Sequence, residues 1–182
     1  VEARLKLEVA KFKVGDPRDA AVRIGPMANR AQWNRVQSYI RLGLEEGATV
    51  LTGGLDLPEG LSKGWFVRPT IFTNVRNDMR IAREEIFGPV LSLIAYDDED
   101  DAAAIANDSE YGLQAYVLGS DPEHAQRFSK RLVAGRVVIN GAPHDPRAPF
   151  GGFRQSGLGR EIGAYGLDAL LEPRAILTPA EW

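Results

Sequence analysis

Apolar and polar residues follow two different periods along the chain, and these periods predict a series of helices and strands. In the first half, apolar residues at helical spacing predict helices over residues 2–13 and 29–47, and Asn29 is the expected N-cap of the second. Runs rich in Val, Ile and Leu predict strands at "ATVLTGG" and "VLSLIAY". The segment "GWFVRPTIFTNV" is expected to be extended, with Pro69 marking an edge or a bend.

The second half continues this alternation. "DEDDAAAIAND" predicts a helix whose acidic first residues suit the positive end of the helix dipole, and Asp121 with Pro122 predicts the start of another helix. Strands are predicted at "LQAYVLGS" and "GRVVIN", a short helix over residues 160–170 and a last strand at "EPRAIL". This order predicts an α/β fold: an open, mostly parallel sheet with helices on both faces and a C-terminal arm strand.

The bulk properties of the chain argue against several classes of protein. A length of 182 residues suits one ordinary domain, and a formal charge of −3 argues against a nucleic-acid partner. No apolar run reaches the roughly 20 residues that a membrane-spanning helix needs. The first residues also lack the apolar stretch of a signal peptide. We therefore expect a cytoplasmic protein with no nucleic-acid or membrane partner.

The side chains that most often perform nucleophilic or metal chemistry are scarce. The chain has no cysteine, and its two histidines, His124 and His144, have no spacing typical of a metal site. Ser156 lacks the pattern of a nucleophile elbow, so we expect no self-contained hydrolase triad. The glycines of "PFGGFRQSGLGREIGAYG" fit neither a dinucleotide-binding nor a P-loop spacing, and they predict tight turns and close backbone approach.

The stretch "REEIFGPV", residues 83–90, places two carboxylates, Glu84 and Glu85, beside a predicted core strand. An ionised carboxylate can accept hydrogen bonds from both hydroxyls of a ribose diol, and a nearby aromatic ring can pack on a flat ligand. The other interpretation is a salt-bridged helix end, in which one of these glutamates pairs with Arg80 or Arg83. The spacing alone leaves both interpretations open.

Several separated motifs together resemble the C-terminal half of NAD(P)-dependent aldehyde dehydrogenases. They are "VGDPRDAAVRIGPMAN", "GWFVRPTIF", "REEIFGPVLSL", "EYGLQAYVLGSD" and "GRVVINGAPHDPRAPFGGFRQSGLGREIGAYGLDAL", in the order expected for the family. The resemblance covers nearly the whole chain. It implies that residues 1–170 are part of a catalytic domain and that residues 171–182 are a C-terminal oligomerisation strand. A homo-oligomer that acts on a small aldehyde is therefore expected.

The resemblance also implies roles for individual residues. The Glu of E-I-F, here Glu85, would hold the ribose of the nicotinamide half of NAD or NADP, and Phe87 would lie against the nicotinamide side. Glu84 would be a solvated neighbour. The Phe of P-F-G-G, here Phe150, would line the aldehyde tunnel. The Glu of G-R-E, here Glu161, would belong either to a proton-relay path or to a structural anchor.

The resemblance implies as well that parts of the enzyme are absent from this chain. The family attacks the aldehyde with a cysteine thiolate, and a glutamate activates the water that hydrolyses the thioester to a carboxylic acid. In the family, that cysteine, the general base and the Rossmann-type domain lie upstream of the part that this chain resembles. The chain alone is therefore expected to be inactive. Two alternatives stay open: a non-catalytic assembly module with the same fold, and an unrelated carboxylate hydrolase.

Overall fold

A computed structural model describes residues 1–179, which form two compact units, one ending at Tyr96 and one beginning at Asp97. Both units combine helices with parallel strand pairing, so the predicted α/β fold is confirmed. The described strands form a three-stranded and a two-stranded sheet, where we had expected one sheet. No helix within residues 1–179 has the length and apolar character needed to cross a membrane.

The elements of the first unit follow the predicted order. They are α1 (Glu2–Val9), α2 (Arg30–Glu45), β1 (Thr49–Thr52), β2 (Thr70–Thr73), α3 (Arg80–Arg83) and β3 (Val90–Ser92). The predicted cap of α2 is confirmed, because Oδ1 of Asn29 accepts a hydrogen bond from the backbone N–H of Gln32 at 2.9 Å. The strand predicted at "VLSLIAY" is shorter than expected, since only the three residues of β3 pair with a neighbour.

The sheet of the first unit is mixed. β2 is its middle strand, antiparallel to β1 and parallel to β3. Pro69 directly precedes β2, which is not an edge strand, so of the two expectations, an edge or a bend, the structure excludes the edge. A proline has no N–H, and in this position, outside the strand, it removes no hydrogen bond from the sheet.

The core of the first unit packs α2 against the sheet. Val36 and Ile40 of α2 and Phe72 of β2 are completely buried in the same cluster. A Cβ atom on Gly43 would lie 2.8 Å from the Phe72 ring, so α2 approaches the strand more closely than a larger residue would allow. α2 is therefore fixed, and it can position other segments that contact it.

The second unit begins with a helix, and a strand–helix–strand arrangement follows it. Its elements are α4 (Glu99–Asn107), β4 (Gln114–Val117), α5 (Pro122–Ser129), β5 (Arg136–Ile139) and α6 (Gly163–Asp168). The predicted cap Asp121 is confirmed, since its Oδ1 accepts from the backbone N–H groups of Glu123 and His124 at 2.9 and 3.1 Å. α6 is shorter than the helix predicted over residues 160–170.

β4 and β5 run parallel, with Gln114 directly opposite Arg136. Asn140 ties the ends of the two strands together. Its Nδ2 donates to the Gly119 carbonyl at 2.8 Å, and its Oδ1 accepts from the Gly119 N–H at 2.9 Å. This double contact fixes the point at which the long loop after β5 begins.

The glycine-rich part of that loop forms turns, as its pattern predicts. Gly157 and Gly159 have φ values of +141° and +74°, which L-amino acids with side chains rarely adopt. Gly135, directly before β5, packs against the loop as well. A Cβ atom there would lie 1.7 Å from the carbonyl oxygen of Gly151. Close backbone approach therefore explains this glycine.

Gly135→Ala is expected to lower the free energy of unfolding by about 3 kcal/mol or more, because the added methyl group meets backbone atoms that have no rotamer to escape into. Gly119→Ala is the matched control, since its Cβ would lie 3.6 Å from the Cβ of Ala125, an ordinary contact. Urea unfolding of both variants measures the difference. Equal destabilisation of the two would contradict the close approach of Gly135 to the loop.

The last described residues, 171–179, form no strand with any described part of the chain. The strand predicted at "EPRAIL" therefore has no hydrogen-bonded neighbour within residues 1–179, and a strand requires one. Ile176 and Leu177 in this segment are 73% and 92% exposed. The remainder of the predicted C-terminal strand, residues 180–182, lies outside the described residues.

Candidate functional site

One face of α2 supports residues 84–88, the segment that carries both predicted cofactor ligands. Gln32, Arg35, Val36 and Tyr39 are spaced three and four residues apart, so they lie on one face of the helix. Each of these four side chains contacts residues 84–88. Because the core fixes α2, the segment has a rigid support although it lies outside any helix or strand.

The backbone of E-I-F is held by hydrogen bonds from two side chains of this face. Arg35 Nη2 donates to the Glu85 carbonyl at 2.5 Å. Gln32 Nε2 donates to the Phe87 carbonyl at 2.6 Å and to the Ile86 carbonyl at 3.4 Å. Three consecutive carbonyl groups thus accept from α2, which fixes the path of the chain through the motif.

The side chains of the motif then point in different directions. Ile86 is buried in the core with 8% exposure, whereas Phe87 is 75% exposed. Phe87 has a φ of +58°, an uncommon value for a bulky residue, and the Gln32 hydrogen bond holds it there. Glu85 is also exposed. The two residues predicted to hold a cofactor therefore both face solvent from one short segment.

Glu84, predicted to be a solvated neighbour, makes an ion pair. Its carboxylate lies 2.6 Å from Nε of Arg80 and accepts a hydrogen bond of 2.6 Å from the hydroxyl of Tyr39. The salt-bridged helix end considered from the spacing is confirmed for Glu84, and its side chain is still partly exposed to solvent. These bonds, first the one from Arg80 and then the one from Tyr39, lower the pKa of Glu84 to about 2.

This lowered pKa predicts a pH-dependent contribution to stability. The folded-state pKa of Glu84 lies below the ordinary value of 4.5, so its contribution is complete above pH 4.5 and is lost as the pH falls toward 2. The side chain is 38% exposed, and solvent screening keeps the contribution to roughly 0.5–1 kcal/mol. Glu84→Gln should therefore lower the free energy of unfolding by this amount at neutral pH.

Urea unfolding of the wild type and Glu84→Gln at several pH values measures this difference, which should shrink as the pH falls toward 2. Asp56→Asn is a suitable control, because the Asp56 side chain is 90% exposed and its contact with Arg68 is 3.5 Å long. It should change stability by less than about 0.5 kcal/mol at any pH. A Glu84→Gln difference that stays constant from neutral to acid pH would contradict the ion pair.

In the second unit, the fold brings Phe150 and Glu161 together. Their backbones form a two-way bridge, in which the Phe150 N–H donates to the Glu161 carbonyl at 2.9 Å and the Glu161 N–H donates to the Phe150 carbonyl at 2.7 Å. The Phe150 ring is partly buried and the Glu161 side chain is exposed. The two residues that the sequence nominated for the aldehyde path and the proton relay are therefore direct neighbours.

Arg136 of β5 lies beside this bridge and was not singled out from the sequence. The central carbon of its guanidinium group is 4.6 Å from the centre of the Phe150 ring, and its Nη1 is 3.2 Å from Nδ1 of His144. The other histidine, His124, pairs with Glu99 at 2.5 Å. Within residues 1–179, no group of three or more potential metal ligands is present.

Gln32 and Arg35 were also missed from the sequence. Gln32 and Arg35 lie close to the apolar Val36 on the helix surface, and this spacing could have predicted that they contact another part of the protein. Nothing in the sequence, however, indicated that the partner of that face is the E-I-F segment.

Comparison with known proteins shows the family of this chain. The profile of the aldehyde dehydrogenase family matches residues 1–176. A relative from Staphylococcus haemolyticus, provisionally named an aldehyde dehydrogenase, is 53% identical over 172 residues, which are 94% of this chain and 36% of the relative.

Two solved structures are similar over almost the whole chain. A mutant of aldehyde dehydrogenase C from Pseudomonas syringae, in complex with NAD+ and octanal, is 48% identical with a TM-score of 0.96. The match covers 100% of this chain and 38% of that one. An aldehyde dehydrogenase from Mycobacterium tuberculosis in complex with NAD+ is 44% identical with a TM-score of 0.94, covering 99% and 37%.

The two solved structures show that this chain shares the α/β fold of the aldehyde dehydrogenases, which are oxidoreductases. The chain belongs to the aldehyde dehydrogenase family. It spans between 36% and 38% of the length of the relatives named above.

Proposed function

We propose that this chain is the portion of an NAD(P)-dependent aldehyde dehydrogenase that lies downstream of the nucleophilic cysteine. The observation that carries the proposal is the E-I-F segment, in which a backbone clamped by Gln32 and Arg35 presents Glu85 and Phe87 to solvent. A rigid backbone with an exposed carboxylate and an exposed ring is an arrangement suited to binding a sugar diol and a flat ring together.

The cofactor side of the proposal assigns two residues. Glu85 accepts hydrogen bonds from the ribose hydroxyls of the nicotinamide half, and Phe87 lies against the nicotinamide side. NAD+ or NADP+ supplies the hydride acceptor when it is bound. Two related structures, those from P. syringae and M. tuberculosis, contain NAD+, which supports a dinucleotide as the cofactor here.

The substrate side assigns two further residues. Phe150 lines the path of the aldehyde, and Glu161 either relays a proton or anchors the loop that carries Phe150. Their backbone bridge supports a joint role, because it holds both residues at one place in the second unit. The P. syringae relative was solved with octanal, which supports an aldehyde as the substrate class.

The remaining catalytic groups come from polypeptide that this chain does not contain. The chain has no cysteine, so the thiolate that attacks the aldehyde is supplied upstream, together with the general base and the Rossmann-type domain. Within this division, residues 1–170 contribute to the catalytic domain. We also propose that the protein is located in the cytoplasm.

Residues 171–182 form an oligomerisation strand in this proposal. The described residues 171–179 have no strand partner of their own, and Ile176 and Leu177 expose most of their apolar side chains. An unpaired apolar segment tends to pair with another chain. The other candidate function, a non-catalytic assembly module, would use the same segment but would leave Glu85 and Phe87 without a ligand.

A chimera tests the proposed function. Residues 1–182 replace the matching 38% of the active P. syringae enzyme, and the product is assayed for octanal oxidation through the reduction of NAD+. Turnover of octanal by the chimera supports the proposed role in an aldehyde dehydrogenase. A folded chimera that binds NAD+ without turnover, or that binds none, favours the assembly module.

A further inference from the structure

We propose that Gln32 of α2 is a positioning residue, which holds the Phe87 ring in place for hydride transfer without touching the cofactor itself. The proposal rests on the proposed function, because that function assigns Phe87 to the nicotinamide side. It deepens that function by giving one side chain of α2 control over the direction of the ring. Two observations carry it: the backbone conformation of Phe87 and the pair of carbonyl groups that Gln32 contacts.

The backbone conformation of Phe87 is unfavourable by itself. Its φ of +58° lies in the left-handed region, where the Cβ atom of a residue with a side chain crowds a backbone carbonyl oxygen. Such a conformation persists only where the surroundings fix it, and residues that adopt it are concentrated at functional sites. Phe87 therefore requires a contact that holds its backbone, and the direction of its ring depends on that contact.

One amide group of Gln32 contacts both peptide planes at Phe87. The Ile86 carbonyl belongs to the plane before Phe87, and the Phe87 carbonyl belongs to the plane after it. Gln32 Nε2 lies 3.4 Å from the first oxygen and 2.6 Å from the second. A carboxamide nitrogen carries two hydrogens, so it can donate to both. Because these planes define φ and ψ of Phe87, a single side chain sets the direction in which the ring leaves the backbone.

The residues on either side of Phe87 are fixed by other contacts. Ile86 is buried in the core of the first unit. A Cβ atom on Gly88 would lie 2.5 Å from Cγ2 of Val36, so the backbone at Gly88 lies directly against α2. Loss of the Gln32 amide should therefore leave the segment in place and free the two peptide planes at Phe87. The expected result is a new ring direction and not local unfolding.

Hydride transfer is sensitive to such a change because the reacting atoms must be aligned. A displacement of about 1 Å in a group that orients the reactants can lower a rate by about 100-fold. Phe87, placed against the nicotinamide side, limits the positions that the nicotinamide ring can adopt. Affinity for the dinucleotide depends instead on Glu85, whose carbonyl is held by Arg35. Gln32 should therefore affect the rate of hydride transfer more than the affinity for NAD+.

The conformation of Phe87 is measured in the 182-residue chain by the nuclear Overhauser effect between its N–H and Cα–H hydrogens. At a φ of about +60° these two bonds are eclipsed, so their hydrogens are closer than at the negative φ of ordinary residues. Gln32→Met removes the donors and keeps the side-chain length and the helix propensity. It should lower this signal by about twofold or more, as Phe87 shifts to other conformations. Gln126→Met makes the same change at an exposed position of α5 and should leave the signal unchanged.

An unchanged Phe87 signal in Gln32→Met would overturn the proposal. If that variant does not fold, Gln32→Glu replaces it, because a carboxylate keeps the shape of the side chain and has no N–H donor. The same decrease of the signal is expected. A folded Gln32→Glu variant with the wild-type signal would overturn the proposal as well.

The chimera with the P. syringae enzyme tests the effect on the reaction. Gln32→Met should slow NADH formation in the first turnover, followed by stopped flow, by about fivefold or more. The affinity for NAD+ should change by less than about twofold. A variant that loses NAD+ affinity and keeps the rate of the first turnover would overturn the positioning role, since this result is expected of a direct cofactor ligand.

A double-mutant cycle with Phe87→Gly distinguishes control of Phe87 from direct contact with the cofactor. Glycine has no ring and adopts a positive φ readily, so in this background Gln32→Met should slow the first turnover by less than about twofold. Equal slowing by Gln32→Met with and without the ring would show that Gln32 acts independently of Phe87. That result would overturn the positioning role.

The two kinds of measurement separate this proposal from the proposed function. A chimera whose turnover is insensitive to Gln32→Met overturns the positioning role and leaves the proposed function intact. Absence of turnover in the unsubstituted chimera, with a Phe87 signal that depends on Gln32, overturns the proposed function instead.

Discussion

The 182-residue chain on its own should oxidise aldehydes at least about 10⁴-fold more slowly than the chimera with the P. syringae enzyme. The reaction in this family requires a thiolate to attack the carbonyl, and the chain contains no cysteine. Loss of a nucleophile removes the covalent route, and no binding interaction replaces it. Purified chain and chimera are compared by NADH absorbance with octanal and NAD+ at matched concentrations.

The comparison requires that the isolated chain is folded, so its folding is measured as the control. Circular dichroism and a cooperative unfolding transition establish that the isolated chain is folded when it is assayed. Measurable turnover by the purified chain, at a rate proportional to its concentration, would contradict the proposed division of catalytic groups. An inactive but folded chain together with an active chimera supports it.

The second large effect is expected for Glu85→Gln in the chimera. A carboxylate forms charge-assisted hydrogen bonds with the ribose hydroxyls, and the neutral amide forms weaker ones, so the affinity for NAD+ should fall by about tenfold or more. The Glu85 side chain is exposed, so the substitution should change stability by less than about 0.5 kcal/mol. NADH fluorescence titration and the KM for NAD+ measure the effect.

Glu84→Gln is the matched control for this experiment, because it makes the same change one residue earlier. Glu84 pairs with Arg80 and Tyr39, so its substitution should alter stability and leave NAD+ affinity within about twofold. The two neighbouring substitutions thus separate binding from folding. Wild-type NAD+ affinity in Glu85→Gln, or equal losses of affinity in both variants, would contradict the ribose assignment.

Elements whose boundaries depend on local chemistry were predictable from the sequence. Asn29 and Asp121 cap their helices as expected, because a short polar side chain can satisfy free N–H groups within its own first turn. The β4–α5–β5 unit also follows the prediction, with Pro122 at the first position of α5. The turns at Gly157 and Gly159 follow from a property of glycine itself.

Predictions failed where distant residues decide the outcome. Glu84 is partly exposed, but the hydrogen bond that it accepts from Tyr39 of α2, 45 positions away in the sequence, was not predicted. The position of β2 in the middle of its sheet depends on pairing with both β1 and β3, which the proline before it did not reveal. The strand predicted at "EPRAIL" is a different case: it has no neighbour within residues 1–179, and it stays a prediction because its proposed partner is another chain.

The sequence by itself determined the α/β class, the helix caps and, through the family motifs, the nomination of Glu85, Phe87, Phe150 and Glu161. Those features depend on nearest-neighbour chemistry or on motifs that can be read directly. Only the tertiary structure decided that Gln32 and Arg35 clamp the E-I-F backbone and that Arg136 lies over Phe150. Such contacts join residues far apart in the chain, and a hydrogen bond depends on their distance and direction in the folded protein.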